Sequence, residues 1–207
     1  MHSIKKSLIL SATAVATTAV LAACGATSSS MNADIPMGNT TSTAASSTAA
    51  LPASTEADVT FTQLMIPHHQ QAVQMADLAL AQATTPDVKA LAQQIKGAQG
   101  PEITMMTGWL QGWGAPMPMA GDMAGMDMGE HAATGMMSEQ EMADLSNAQG
   151  ADFDRLWLTM MIAHHKGAIT MAQHVKASST TPEVTSLADA IIAGQTKEIE
   201  YMNTLLK

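Results

Sequence analysis

The sequence has little of several residue types, and each shortage excludes a class of protein. One of the 207 residues is cysteine, so the chain cannot form an internal disulfide, a cysteine-rich zinc site or an iron–sulfur cluster. Aromatic residues make up 3% of the chain, so a core must consist of aliphatic side chains and methionine, which favours helices over strands. The net charge of −9, from 9 basic against 18 acidic residues, argues against a nucleic-acid partner.

The first 24 residues have the organisation of an export signal. Lys5 and Lys6 precede a stretch of apolar or small residues, 7–20, and then the tetrapeptide Leu21-Ala22-Ala23-Cys24. The tetrapeptide resembles a bacterial lipobox, which implies that residues 1–23 are a lipoprotein signal peptide and that the thiol of Cys24 carries a lipid. An ordinary cleavable signal is the alternative, and a transmembrane helix is disfavoured because the apolar run is short and interrupted by Ser and Thr.

The signal predicts an exported protein that a lipid anchors to a membrane, facing the periplasm or the cell exterior. Residues 24–55 are rich in Ala, Ser, Thr, Gly and Pro. Such a composition buries too little apolar surface to offset the entropy of ordering, so we expect a flexible tether. The remaining segment, 56–207, is the expected folded domain.

An internal repeat organises this domain. Residues 58–111 align without a gap on residues 154–207, at a constant offset of 96 positions. The identical pairs include Asp58/Asp154, Met65/Met161, His68/His164, His69/His165, Met75/Met171, Gln99/Gln195, Glu102/Glu198 and Met106/Met202.

Each repeat has the pattern of a helical hairpin. Apolar residues recur at helical spacing over 58–82, and Thr85 and Pro86 are typical of the start of a second helix that runs to about residue 110. Thr181 and Pro182 occupy the same places in the second repeat. Because one hairpin cannot bury its apolar stripe alone, we predict an all-α fold in which two hairpins close on each other as a four-helix bundle.

The connection between the repeats has two parts. Ser138-Glu139-Gln140-Glu141 forms a capping box and predicts a further short helix ending near Gly150. Before it, residues 114–137 form a Met-rich loop without helical periodicity, whose thioethers we expect to be exposed and to bind copper; an oxidant sink or compositional drift is the alternative. The Met and His residues of this loop are Met117, Met119, Met123, Met126, Met128, His131, Met136 and Met137.

Paired histidines lie on one face of the first helix of each repeat. At 100° per residue they share an inward arc with methionines: Met65, His68, His69 and Met75 in one repeat, and Met161, His164, His165 and Met171 in the other. The second helices add Met106 and Met202, each four residues after a glutamate. Core filling is the alternative interpretation for the methionines, above all Met75 and Met171.

Four buried imidazoles without partners would cost several kcal/mol, which favours a ligand role for the histidines. Ferritin-like di-iron bundles use Glu-x-x-His, which this sequence lacks. Met65-x-x-His68 and Met161-x-x-His164 replace the carboxylate by a thioether, and this change favours copper, as Cu(I), over iron.

The segments Met65-Ile66-Pro67-His68-His69-Gln70-Gln71-Ala72 and Met161-Ile162-Ala163-His164-His165-Lys166-Gly167-Ala168 resemble a bacterial family catalogued as domain of unknown function three hundred and five. The resemblance covers about residues 56–207 and implies a ferritin-like four-helix bundle. Exported Met- and His-rich relatives are associated with copper binding and resistance. The resemblance implies these ligands: His68, His69, His164, His165, Met65, Met161, Met75 and Met171.

We therefore predict a copper-binding protein of the cell envelope, acting as a chaperone, a buffer or a resistance factor with no turnover, and passing copper to a protein partner. One alternative is a ferritin-like metal oxidase, which the absence of Glu-x-x-His disfavours. Another is a structural lipoprotein whose Met-rich loop docks a partner. No His-Glu-x-x-His, nucleophile elbow or phosphate-binding glycine loop is present to support a hydrolase or a nucleotide-binding protein.

Overall fold

The computed structural model describes residues 54–118 and 134–207. Within these ranges the chain forms five helices: α1 (Glu56–Gln82), α2 (Pro86–Trp113), α3 (Glu139–Asn147), α4 (Gly150–Ser178) and α5 (Pro182–Leu205). The predicted signal peptide, the lipidation site Cys24, most of the tether, and Met119, Met123, Met126, Met128 and His131 lie outside the described residues.

The helices pack as hairpins, so the predicted all-α fold of two helical hairpins is confirmed. Helices α1 and α2 form one hairpin, α4 and α5 form the other, and the hairpins meet mainly through α1 and α4. The short helix α3 begins with the predicted capping box, in which Ser138 and Glu141 exchange side-chain and backbone hydrogen bonds. Gly150, expected near the end of α3, instead begins α4 with a positive φ of 64°. No helix of the two described ranges has both the length and the apolar character needed to cross a membrane.

The predicted helix starts at Thr85 and Thr181 are correct in position, but these N-cap side chains do not bond to their own helices. Thr181 instead donates to Asp58 Oδ2 of the other hairpin at 2.7 Å. In the reciprocal place, Asp154 accepts hydrogen bonds from the backbone and side chains of Thr84 and Thr85. The two aspartates therefore brace each hairpin against the loop of the other.

Helices α1 and α4 run antiparallel with one register along their length. At the centre, the rings of His68 and His164 lie 3.7 Å apart. Met75 lies seven residues after His68, Trp157 lies seven residues before His164, and the Trp157 indole N–H donates to the Met75 carbonyl oxygen at 2.8 Å. Because seven residues are about two helical turns, the two helices keep the same faces together over this distance.

The apolar core consists of two clusters, one toward each end of the bundle. The first cluster contains Met75, Ile95, Phe153, Trp157 and Met161, together with Leu145 of α3. The second cluster is built around other side chains, among them Phe61, Met65, Met106, Trp109 and Leu187. On each of the four long helices, the buried side chains between the two clusters are polar.

Candidate metal centre

A polar layer crosses the middle of the bundle between the two apolar clusters. Helices α1 and α4 each contribute adjacent histidines to it, and α2 and α5 each contribute a glutamine and a glutamate one turn apart. Glu102 is half-buried and the other members are buried. The layer contains His68, His69, Gln99, Glu102, His164, His165, Gln195 and Glu198. The repeat explains its composition, because every member has an identical counterpart 96 positions away.

The inner histidines of the layer, His68 and His164, meet across the α1–α4 interface. Their ring centroids are 3.7 Å apart with a tilt of 39° between the ring planes, and both residues are fully buried. The helical period places each inner histidine one turn after a buried methionine, Met65 on α1 and Met161 on α4. The prediction that the histidine pairs point into the bundle is confirmed.

The outer histidines, His69 and His165, are each held by a glutamate of their own hairpin. His69 Nε2 donates to Glu102 Oε2, and His165 Nε2 donates to Glu198 Oε2, both at 2.7 Å. Carboxylate oxygens accept hydrogen bonds, so the hydrogen is on Nε2, and the Nδ1 of a neutral ring then carries a lone pair. Metal-binding histidines are commonly oriented by such a carboxylate bond through the second ring nitrogen.

A short strap, residues 134–137, packs against α1 at His68 and against α4 at Gly167. His68 Nε2 donates to the Thr134 carbonyl oxygen at 3.0 Å. The Gln71 side chain forms two hydrogen bonds of 2.7 Å with the backbone of Met137. The strap approaches α4 so closely that a Cβ atom on Gly167 would lie 1.6 Å from the Thr134 oxygen. Glycine at position 167 is therefore required for this packing.

Five imidazole nitrogens of the layer have no hydrogen-bond partner. They are Nε2 of His164 and the Nδ1 atoms of His68, His69, His164 and His165. Side-chain atoms of Gln99 and Gln195 are also buried without partners. A buried polar atom without a partner costs about 1–3 kcal/mol, so the layer as a whole is expensive unless a ligand satisfies it. Imidazole lone pairs beside thioethers fit copper, whereas they are a poor match for hard cations such as Mg²⁺ or Ca²⁺.

Burial keeps the inner histidines neutral. It lowers the pKa of His68 to about 3, with the neighbouring charge of His69 acting in the same direction. Burial, followed by the proximity of His68, also lowers the pKa of His164 well below its ordinary value. Because only the neutral ring donates a lone pair, both rings are in the form that binds metal throughout the physiological pH range.

The predicted methionine ligands lie on both sides of the polar layer. Met65 and Met106 belong to one apolar cluster, and Met75, Met161 and Met202 to the other; all five are fully buried. Met171 is half-buried and packs against the cluster of Met65. The structure therefore places thioethers on both sides of the histidines. Met75 and Met171 are the more distant ones, because each lies two turns after the inner histidine of its own helix.

The Met-rich loop is less exposed at its end than its composition predicts. Met117 is 40% exposed, as expected. Met136 and Met137, by contrast, are buried at 8% and 7% exposure, because the strap that carries them is fastened to Gln71 and His68. The expectation of exposed thioethers was wrong for these two residues.

Sequence reasoning placed Glu102 and Glu198 on the inward face of their helices but did not assign them to the site. The repeat contained a signal that could have assigned them. Glu102 and Glu198 are identical at equivalent positions, as are Gln99 and Gln195, and all four lie on an otherwise apolar stripe. The bond from His68 to the strap had no signal in the sequence. Among residues 54–118 and 134–207, no three His, Cys, Asp or Glu side chains converge as a metal site.

Comparisons with known proteins agree with this architecture. A structure described as a DUF305 fragment from Deinococcus radiodurans is 32% identical, with a TM-score of 0.67, over 75% of this chain and 98% of the other. CopM in its Cu(II)-bound form is 37% identical, with a TM-score of 0.62, over 72% of this chain and 95% of its own. CopM in its Cu(I)-bound form is 36% identical, with a TM-score of 0.59, over 72% of this chain and 94% of its own.

No curated protein sequence matches the chain. The model of one family matches residues 58–206, which is most of the chain and includes the whole polar layer. The chain therefore belongs to the family described as domain of unknown function, DUF305.

Proposed function

We propose that this protein is an exported copper-binding protein that holds copper, as Cu(I), with histidine and methionine side chains of its helical bundle. It acts as a chaperone, a buffer or a resistance factor, and it performs no turnover. The observation that carries the proposal is the set of buried imidazole nitrogens without partners in the polar layer. CopM, to which the chain is 36–37% identical, has been solved with Cu(I) and Cu(II).

The outer histidines support the proposal through their orientation. Glu102 and Glu198 fix the rings of His69 and His165 through Nε2 and leave Nδ1 available. A hydrogen bond to a carboxylate raises the basicity of the opposite ring nitrogen and sets its direction. In this arrangement the glutamates orient the ligands, and the imidazoles donate to copper.

The choice of copper depends on the soft donors next to the histidines. Met65 and Met161 lie one turn before the inner histidines, and Met106 and Met202 follow the two glutamates by four residues on the facing helices. Thioethers and imidazoles together select Cu(I) among the common biological metals. Met75 lies on the same face of α1 as His68 but two turns after it, so it is a weaker candidate for a ligand.

The Met-rich loop extends the proposal beyond the bundle. Met117 and the loop residues Met119, Met123, Met126, Met128 and His131 are proposed to collect copper, which then reaches the bundle. The strap supports this route, because it joins the loop to the Nε2 atom of His68. A lipid on Cys24 would hold this assembly at a membrane, where copper can pass to a protein partner.

The test is an anaerobic Cu(I) titration with bound metal counted by mass spectrometry. It compares the whole protein with His68→Asn/His164→Asn, Met65→Leu/Met161→Leu, and a variant in which residues 119–133 are replaced by a Gly-Ser segment of equal length. Because the strap packs on the bundle, the replacement stops before residue 134. Met160→Leu is the matched control, since it removes a buried thioether and copies Leu64 of the first repeat.

We expect the histidine and bundle methionine variants to lose tightly bound copper and the Met160→Leu control to keep it. Loss only with the loop replacement would make the bundle a scaffold. Undiminished binding in all variants would contradict a copper site at these residues.

The alternative function is a metal oxidase, and the carboxylates of the polar layer favour it, because ferritin-like oxidases use Glu and His together. Glu102 and Glu198 are, however, engaged with histidines rather than directed at a common point. Oxygen consumption on addition of Fe(II) or Cu(I) would distinguish the two functions. We expect no catalytic consumption.

A further inference from the structure

The two ends of the α1–α4 interface differ, although the repeat relates them. Seven residues to one side of the central histidine pair, Met75 faces Trp157, and both side chains are fully buried. Seven residues to the other side, Phe61 faces Met171. Phe61 is the repeat counterpart of Trp157, and Met171 is the counterpart of Met75.

Large side chains fill the first end and have smaller counterparts at the other. Beside Trp157, Phe153 and Leu145 of α3 are fully buried, whereas Ala57 occupies the place of Phe153 in the first repeat and Phe61 that of Trp157. A groove of about 650 Å³ lies beside Phe61, between the start of α1 and the end of α4. Met171 lines this groove and is half-buried, while its counterpart Met75 is fully buried. The thioether of Met171 is therefore accessible from solvent in a way that the thioether of Met75 is not.

A histidine lies next to this accessible thioether. His174 lines the same groove one helical turn after Met171, and it replaces Leu78, which packs on the apolar core in the first repeat. The spacing Met171-x-x-His174 is the spacing of Met65-x-x-His68 and Met161-x-x-His164. Side chains three apart on a helix have Cβ atoms about 5–6 Å apart, close enough for both to bind one ion.

The remaining groups of the groove suit a soft cation. Glu56, in the first turn of α1, brings a carboxylate to the same groove from the opposite helix. Phe61, Leu64 and Val175 supply apolar walls. A thioether and an imidazole select Cu(I) or Ag(I) over hard divalent ions, and one carboxylate balances a single positive charge.

We infer that Met171 and His174 form a second, solvent-accessible site for Cu(I) or Ag(I) at the end of the α1–α4 interface, with Glu56 facing it. The inference deepens the proposed copper function and rests on it for the identity of the ion. It also reassigns Met171 from the bundle site, from which two helical turns separate it. An ion at this position can be exchanged with solvent without opening the core.

The test follows the methionine methyl groups by NMR in the full protein labelled with ¹³C-methyl methionine, during titration with Ag(I), which does not need anaerobic handling. Met171→Leu assigns the Met171 signal. We expect this signal to shift and saturate with added Ag(I). His174→Leu copies the first repeat. In this variant we expect the apparent Ag(I) affinity measured from the Met171 signal to fall by more than roughly tenfold, because loss of a group that only orients a ligand already costs about that much.

Two further variants separate a metal site from a general effect on the helix. Phe61→Trp keeps both donor side chains but enlarges a ring that lines the groove, so we expect it to narrow the groove and weaken the response of Met171. Leu78→His places a histidine after the buried Met75, and we expect it to add no Ag(I) site.

The outcomes distinguish this inference from the proposed bundle site. A Met171 signal that does not shift, or that titrates in His174→Leu as in the unchanged protein, would overturn the inference even if Met65 and Met161 respond. A response of Met171 that persists in His68→Asn/His164→Asn supports the inference, whether or not the bundle binds metal.

Discussion

At the scale of single residues, the two outer histidines are held by glutamates that differ in their surroundings. The side chain of Glu102 is 21% exposed and that of Glu198 is 10% exposed. Glu198 also accepts a hydrogen bond from Gln94 Nε2 at 3.2 Å, across the interface between the hairpins. Water competes less for the bond between Glu198 and His165, so this imidazole should be the more rigidly oriented of the two.

We predict that Glu198→Gln weakens copper binding by about 10- to 100-fold and that Glu102→Gln has a smaller effect, because each removes a carboxylate that orients a ligand. Competition titration with a Cu(I) chelator measures both affinities. Glu200→Gln, on the exposed face of the same helix, is the control and should leave affinity unchanged. Equal affinities for all three variants would refute an orienting role for the glutamates.

The strap depends on one glycine. Gly167→Ala would place a methyl group 1.6 Å from the Thr134 carbonyl oxygen, so the strap or the helix must shift. We predict a loss of about 1–3 kcal/mol in the free energy of unfolding, as for other overpacked sites. Urea denaturation of the apo protein measures it.

The matched control for the strap is Gly194→Ala on α5. A Cβ atom there meets nothing within 4 Å, and alanine is the better helix former by up to about 1 kcal/mol. We therefore expect Gly194→Ala to stabilise the protein. If both substitutions change stability in the same direction, the close approach of the strap does not determine the effect.

At the scale of helices and loops, the aspartate braces connect the two hairpins. Asp154 accepts from the backbone N–H groups of Thr84 and Thr85 at 3.0 and 2.9 Å, at the start of α2. Burial opposes ionisation of Asp154, but the hydrogen bonds from these threonines outweigh it and lower its pKa below the usual 3.8. The carboxylate thus holds the turn before α2 through the N–H groups of Thr84 and of the N-cap residue Thr85.

We predict that Asp154→Asn lowers the free energy of unfolding by about 1–3 kcal/mol near neutral pH, because charge-assisted hydrogen bonds are lost. A lowered folded-state pKa means that this contribution is present above pH 3.8 and is lost as the pH falls below that value. The difference between the variant and the unchanged protein should therefore shrink in acid. Chemical denaturation at several pH values measures it.

Asp152→Asn, an exposed substitution in the first turn of the same helix, is the control and should have a much smaller effect. A difference between Asp154→Asn and the unchanged protein that stays constant below pH 3.8 would rule out ionisation of Asp154 as its cause.

At the scale of the whole molecule, the bundle buries a polar layer between two apolar clusters. Such a layer lowers the free energy of unfolding of the apo protein. The buried imidazoles stay neutral in the folded state, whereas the same histidines bind protons in the unfolded chain. Copper would bind lone pairs of these imidazoles and stabilise the folded state by mass action. Stability, pH and metal content are therefore linked through this layer.

We predict that the apo protein loses stability as the pH falls below 6.5, the ordinary pKa of histidine. The pKa of His68 is lowered in the folded state to about 3, and that of His164 is also lowered, so the unfolded chain takes up protons that the folded chain does not. The loss should approach about 1.4 kcal/mol per pH unit for each of these histidines. Urea unfolding at pH 7.5 and pH 5 measures it, and His68→Leu/His164→Leu should flatten the dependence.

The sequence by itself determined the helices, their pairing into two similar hairpins and the inward direction of the histidines. Helical periodicity and caps depend on residues close together in the chain, and an ungapped repeat is found by comparing the chain with itself. All three can therefore be recognised from the order of the residues alone. The inward arc that contains His68 and His164 follows from 3.6 residues per turn and needs no knowledge of neighbours.

Only the tertiary structure decided which atoms meet. Periodicity assigns a residue to a face, but the register between packed helices selects its partner, and this register depends on the whole core. The tertiary structure brought Glu198 to His165 and the strap to His68. It also buried Met75 under Trp157 while leaving Met171 beside an open groove, although the repeat makes these methionines equivalent in sequence.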